Sequence, residues 1–202
     1  MSSKIDKIFY INLEKRTDRK EQIENQLNNF GLEYERFNAI YMPGYGDVGC
    51  ALSHLEVLRI AKERNYKNIL ILEDDFEFLV DKNTFESLLN EFYSKNINYD
   101  VLFLSYNVIR GTETEYNFIE KGLEVQTASG YIVNSHYYDK LINLLEYSCP
   151  ILQSTRKHWI YANDQIWKQF QEKDNWYYFI PRIGKQSDGY SNLAGRFVSY
   201  NC

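Results

Sequence analysis

The chain has 202 residues, 44% of them apolar and 25% charged, a globular balance with enough apolar mass for one substantial core. Its net charge of −5 and its scattered basic residues exclude a nucleic-acid face, because phosphate binding needs clustered Lys and Arg. The longest aliphatic run, Ile69-Leu70-Ile71-Leu72, is far too short to span a bilayer. The first residues carry no apolar signal region. Three cysteines, Cys50, Cys149 and Cys202, lack metal-like spacing and read as free thiols in a reducing compartment. The expectation is a single domain, residues 1–202, in the cytoplasm.

Lys7 to Leu13 reads as a buried strand, a short apolar run rich in β formers. Thr17 is placed to cap a helix with Ile23, Leu27 and Phe30 on one face, and Gly31 to end it in the left-handed conformation. Tyr34 to Ile40 follows as a strand, Met42 to Asp47 as a loop, and about Cys50 to Arg64 as a helix. Asn68 to Leu72 is a strand that stops at Glu73-Asp74-Asp75. Asn83 is placed to cap a helix with Phe85, Leu88, Leu89 and Phe92 on one face. Val101 to Tyr106 is a strand. Arg110 to Gly122 reads as a polar, flexible loop near the active-site mouth, and Leu123 to Val133 as one or two strands broken at Gly130. Ser135 is placed to cap a helix with Leu141, Leu144 and Leu145. Asn163 or Asp164 opens another with Ile166, Trp167 and Phe170. Trp176 to Ile180 is a late strand, and Pro181 onward reads as irregular. Strands alternating with helices predict an α/β fold: a mainly parallel, Rossmann-type sheet with helices on both faces and a mixed C-terminal part.

The acids Glu73, Asp74 and Asp75 follow a buried strand directly, and ligands of open α/β sheets bind beyond the carboxyl ends of strands. Adjacent carboxylates repel unless a cation offsets them, and Mg²⁺ or Mn²⁺ prefers such oxygen ligands. Strand alternation sends Glu73 and Asp75 to one side and Asp74 to the other, favouring Asp75, then Glu73, as metal-facing. A solvated acidic turn is the competing reading. Gly49-Cys50-Ala51-Leu52-Ser53-His54 reads as a Gly-containing loop entering a helix, whose free N–H groups attract phosphate. Ser53 and His54 are equally compatible with ordinary first-turn residues. After the first strand, Arg16 and Arg19 either hold a diphosphate or pair with Glu14 and Asp18 on the surface.

Taken together, these stretches resemble glycosyltransferase family 25, the lipooligosaccharide and collagen galactosyltransferases. Phe9-Tyr10-Ile11-Asn12-Leu13 with Arg16, Asp18 and Arg19 resembles the family's opening, Gly49-Cys50 with Ser53-His54 its second signature, and Ile71-Leu72-Glu73-Asp74-Asp75 its metal motif. Gln186 with Ser191-Asn192-Leu193 resembles its late segment, with Asn192 where an Asp is usual. Asn38-Ala39 and Gly130-Tyr131 fit further positions. The resemblance implies a GT-A fold, a UDP-sugar donor, Mn²⁺ (or Mg²⁺) and inversion at the anomeric carbon. It assigns Glu73, Asp74 and Asp75 to the metal, and Asn12, Arg16, Arg19, Ala39, Ser53, His54 and Gln186 to the donor. The hexose is galactose, with glucose open, and the acceptor a hydroxyl on a glycan or a hydroxylysine-type side chain.

Inversion requires a base for the acceptor hydroxyl. Asp164, in Asn163-Asp164-Gln165, resembles a late "DQ" element of the family and is the candidate; its competing role is a helix cap. His158, Asp174 and Asp188 are further candidates, and Trp159 or Tyr161 could stack on a sugar. A sugar nucleotidyltransferase would need a Gly-rich loop that Asn12 to Arg19 lacks. A two-metal phosphohydrolase would need more Asp and His around Glu73 to Asp75. An inactive sugar-nucleotide-binding module of the same fold is the remaining alternative.

Overall fold

Strand β1 (Lys7–Asn12) sends Ile8 and Tyr10 into one apolar cluster and Phe9 and Ile11 into another. Strand β3 (Asn68–Glu73) repeats the pattern, with Leu70 and Leu72 on the first side and Ile69 and Ile71 on the second. All eight side chains are buried, so the sheet must be covered on both faces. In the computed structural model, which describes residues 4–191 and 196–199, helices do this in pairs. One face carries α1 (Thr17–Asn29), through Ile23 and Leu27, and α3 (Lys82–Ser94), through Phe85, Leu89 and Phe92. The other carries α2 (Gly46–Glu63), through Ala51, Leu55 and Leu58, and α4 (Tyr138–Thr155), through Leu141, Leu144 and Leu145.

The main sheet adds β2 (Tyr34–Asn38), β5 (Val101–Phe103), β6 (Asn107–Glu113), β7 (Ile119–Gln126), β8 (Gly130–Asn134) and β9 (Trp176–Phe179), in the order β2-β1-β3-β8-β5-β9-β7-β6. β2 and β3 flank β1 in parallel, and β5 lies parallel to β9. β8 and β7 run opposite to the other six strands, so the sheet is mainly parallel in direction and mixed in its second half, as the alternation of elements implies. A short strand β4 (Phe76–Phe78) pairs antiparallel with β10 (Gly184–Gln186), and β11 (Gly189–Ser191) with β12 (Arg196–Val198). No helix among the described residues is long and apolar enough to cross a membrane.

Several local expectations change. Gly31 does end α1 with φ +65°, and Leu32 donates to the Leu27 carbonyl at 3.0 Å, a left-handed stop. Thr17, however, is already helical, and no side chain caps that helix. The α3 cap is Asp81, which accepts from the Thr84 N–H at 2.8 Å, not Asn83. Helix α2 starts at Gly46 rather than Cys50. A short 3-10 turn, Ser135–Tyr137, precedes α4, and no side chain caps either element. The Asn163 helix splits into α5 (His158–Tyr161), α6 (Asn163–Ile166) and α7 (Lys168–Gln171). Arg110 to Gly122 is not one loop: it is the end of β6, the hairpin turn at 114–118 and the start of β7. β6 is the exposed edge strand, and edges are kept polar to prevent further pairing, which makes a strand look like a loop. The segment after Pro181 is anchored through β10. Asn192 and Leu193 lie outside the described residues.

Candidate active site

The carboxyl ends of β1 and β3 meet the start of α1 and one flank of α2. Glu73 ends β3, and Asp74-Asp75 form the turn into β4. That turn breaks the strand alternation. Glu73 turns to α2, where its Oε1 meets His54 Nε2 at 3.1 Å and Cys50 Sγ at 3.4 Å. Asp74 and Asp75 instead share Arg19 of α1: Nη1 donates to Asp74 Oδ1 at 3.0 Å and to Asp75 Oδ2 at 2.8 Å. Gln186 of β10 donates to the same Asp75 oxygen at 3.0 Å, and the Ser187 N–H holds the Asp75 carbonyl at 2.6 Å. The β4–β10 pair therefore folds a late segment onto the acids.

Other residues assigned to the donor prove to be internally committed. Asn12 is 1% exposed. Its Nδ2 donates to Asp74 Oδ2 at 2.7 Å and to the Arg16 carbonyl at 3.0 Å, while its Oδ1 accepts from Arg36 Nε at 3.0 Å. It orients Asp74 from behind and keeps no free polar group. Arg16 forms a two-point pair with Asp18, both contacts 2.9 Å. The Ala39 N–H donates to the Asn12 carbonyl at 3.0 Å, and its side chain packs on the core. Ser53 is fully buried, accepting from the Ile40 N–H at 2.9 Å and donating to the Gly49 carbonyl at 2.7 Å. Gly49 lies inside α2, where a Cβ would stand 2.4 Å from the Ile40 carbonyl oxygen. It permits close packing of α2 and does not open a phosphate loop. His54 is fully buried, its Nδ1 held by the Tyr131 hydroxyl at 2.8 Å.

Three carboxylates around one guanidinium leave two unbalanced negative charges when all are ionised. Burial, reinforced by the charge of Glu73, pushes the Asp75 carboxyl up to about 7, against the pull of Arg19. Burial also raises Asp74, partly offset by Arg19 and Asn12. Burial opposes the charge on Glu73 too, but its hydrogen bonds to His54 and Cys50 outweigh it and hold that carboxyl below its ordinary value. Burial and the neighbouring Glu73 lift the Cys50 thiol well above its usual range. Asp75 Oδ1 is buried with no hydrogen-bond partner, an expensive state for a carboxylate oxygen. An all-oxygen set with one unpartnered buried oxygen fits a hard divalent cation held by Asp74 and Asp75, with Glu73 adjacent.

Asp164 does not cap α6. The residue before that helix is Ala162, which makes no side-chain cap, and the Asp164 carboxylate accepts from the Thr127 N–H at 3.3 Å and from Gln165 Nε2 at 3.2 Å. A four-residue turn supplies little dipole. Burial dominates instead and raises the carboxyl, with the charge of Glu73 adding to it, which brings Asp164 into the electrostatic field of the acidic motif. Asp174 is committed to Lys140 and Tyr137, and His158 and Asp188 are exposed. Sequence reasoning missed Cys50, Arg36 and Tyr131 as parts of the site. For Cys50 a signal existed: it lies four residues before His54, one helical turn away on the same face.

A mixed α/β sheet with acids closing a central strand is the GT-A-like arrangement of glycosyltransferases. The pattern of glycosyltransferase family 25 (LPS biosynthesis protein) matches residues 5–43 and 44–160, and the chain belongs to that family. It is similar to procollagen galactosyltransferase 1-B of Xenopus laevis, 25% identical over 172 residues, 68% of this chain and 28% of that one. A Bos taurus relative, named "Probable inactive glycosyltransferase 25 family member 3", is 24% identical over 154 residues, 62% of this chain and 25% of that one. The chain spans less than a third of the length of such relatives. The solved structure of a glycosyltransferase involved in the glycosylation of the major capsid of PBCV-1 matches with a TM-score of 0.50 at 8% identity, covering 94% of this chain and 95% of that one, which bears on the fold alone.

Proposed function

We propose that the chain is a single metal-dependent glycosyltransferase domain that moves a hexose, galactose favoured, from a UDP-sugar to an acceptor hydroxyl with inversion. The observation that carries this reading is the partnerless buried oxygen of Asp75 within a net-negative carboxylate cluster at the end of β3. A dianionic diphosphate cannot approach such a cluster without a cation between them. Bound there, Mn²⁺ or Mg²⁺ supplies Lewis-acid neutralisation of the departing diphosphate.

The chain's own residues do the rest. Asp74 and Asp75 hold the cation, with Glu73 beside them. Arg19 fixes both aspartates in one orientation, and Asn12 sets Asp74 from the core side. Asp164 takes the proton of the acceptor hydroxyl. Burial makes its carboxylate more basic than a surface aspartate, which favours proton abstraction near neutral pH. Galactose is favoured because a relative carries procollagen galactosyltransferase as its name. The acceptor class follows the same likeness, a glycan or a hydroxylysine-type side chain. The free thiols of Cys50 and Cys149 suit a reducing, cytoplasmic setting.

Calorimetry of UDP binding, with Mn²⁺ and with EDTA, tests the proposal, followed by a UDP-hexose hydrolysis screen. UDP binds with Mn²⁺ and fails to bind in EDTA or in Asp75→Ala. Equal UDP affinity in EDTA overturns the metal role.

A further inference from the structure

Cys50 and His54 stand one turn apart on the same face of α2, and both aim at Glu73 at the end of β3. Sγ lies 3.4 Å and Nε2 3.1 Å from Glu73 Oε1, and the three atoms lie within 4.8 Å of one another. A tetrahedral zinc site, with Zn–S about 2.3 Å and Zn–N or Zn–O about 2.0–2.2 Å, has ligand-to-ligand edges of about 3.3–3.6 Å. Two edges of the trio are thus close to the spacing that one soft cation imposes, and the third lies within 4.8 Å. The support expected behind a metal-bound imidazole is also present, since Tyr131 holds the other ring nitrogen of His54 at 2.8 Å. The Glu73 side chain is 21% exposed, which leaves a path for an ion and a position for a water as fourth ligand.

We propose that Cys50, His54 and Glu73 form a binding site for a thiophilic divalent cation of the zinc class. Its sulfur, nitrogen and oxygen donors differ from the all-oxygen set at Asp74 and Asp75, and softness separates the ions that each set prefers. On binding, the Cys50 thiol proton passes to solvent. The imidazole proton resides on Nδ1, donating to the Tyr131 oxygen, while Nε2 turns its lone pair to the ion. Glu73 joins the two sites, a ligand of this one and a neighbouring charge to Asp74 and Asp75. A zinc-class ion here therefore withdraws it from the acidic cluster and inhibits transfer, a consequence that rests on the function proposed above.

The test needs no activity. The full chain, stripped with EDTA and kept reduced with a phosphine, is titrated with Co²⁺ alone. One equivalent gives a thiolate-to-cobalt charge-transfer band that Zn²⁺ displaces. The band is lost in Cys50→Ser and kept in Cys149→Ser, Cys202→Ser and Asp75→Asn. No band at saturating Co²⁺, or an unchanged band in Cys50→Ser, overturns the site. Should Cys50→Ser fail to fold, X-ray absorption of the wild-type zinc complex decides: one sulfur in the first shell supports the site, and a shell of nitrogen and oxygen alone refutes it. Neither readout involves Mn²⁺ or UDP, so this site and the transferase reading fail separately.

Discussion

Asp75→Asn removes one buried negative charge while keeping the shape of the side chain. The amide oxygen still accepts from Arg19 and Gln186, as Oδ2 does now, and the NH₂ group occupies the position of the partnerless Oδ1. In the metal-free fold the Asp75 carboxyl titrates near 7 instead of its ordinary 3.8, so the folded chain binds more protons than the unfolded chain between those values. Wild-type stability in EDTA therefore falls as pH rises from about 4 to about 7 and stays reduced above it. At about 1.4 kcal/mol per pH unit the loss is at most about 4 kcal/mol, an upper figure because Glu73 and Arg19 share the field. Asp75→Asn removes this slope. In EDTA at pH 8 the variant is the more stable protein, with Tm raised by roughly 2–4 °C per kcal/mol for a chain of this size. At pH 4 the two proteins nearly coincide. Mn²⁺ narrows or closes that gap: wild type gains about 2.7 kcal/mol at a hundredfold excess over Kd, and the variant gains little. Differential scanning fluorimetry across pH, with EDTA and with Mn²⁺, reads all three arms. A variant less stable than wild type in EDTA at pH 8, or equal Mn²⁺ responses, refutes the reasoning.

Gly49→Ala puts a Cβ 2.4 Å from the Ile40 carbonyl oxygen, a backbone atom that cannot swing aside, and lowers stability by about 1–3 kcal/mol; an unchanged Tm contradicts this. The amides of β7, paired with β6 on one edge and β9 on the other, exchange slowly with deuterium, and rapid exchange across the hairpin restores the loop reading. Asp164→Asn retains Mn²⁺-dependent UDP binding and loses transfer by roughly a hundredfold; near-normal transfer removes it as the base.

Where burial is two-sided, the fold was legible. β1 and β3 read as unbroken apolar runs because both faces are covered, and Ile23 and Leu27 gave α1 because one stripe is buried. The hairpin was not legible, because β6 buries almost nothing and its polarity follows from being an edge. The start of α2 left no signal either, since Tyr45 precedes it without a side-chain cap. The pairing of β4 with β10 depends on residues more than a hundred positions apart, and no local pattern announces it. At the site, the acidic triplet was legible from its place after a buried strand. The direction of each acid was not, because alternation stops where the strand stops.

The family motifs also mix two kinds of residue, and Ser53 separates them. By resemblance Ser53 belongs to the donor, yet its hydroxyl is fully buried and ties the Ile40 N–H to the Gly49 carbonyl. It holds the segment after β2 against α2, the helix that presents Cys50 and His54 to Glu73. Ser53→Ala leaves the Ile40 N–H short of its partner, a loss of about 1–3 kcal/mol. If the hydroxyl serves packing alone, the variant unfolds at lower denaturant while the folded protein binds UDP with Mn²⁺ at wild-type affinity. If Ser53 touches the donor, affinity falls and stability barely changes. Urea titration and calorimetry on the same preparation distinguish the two, and reduced affinity with unchanged stability would return Ser53 to the donor pocket.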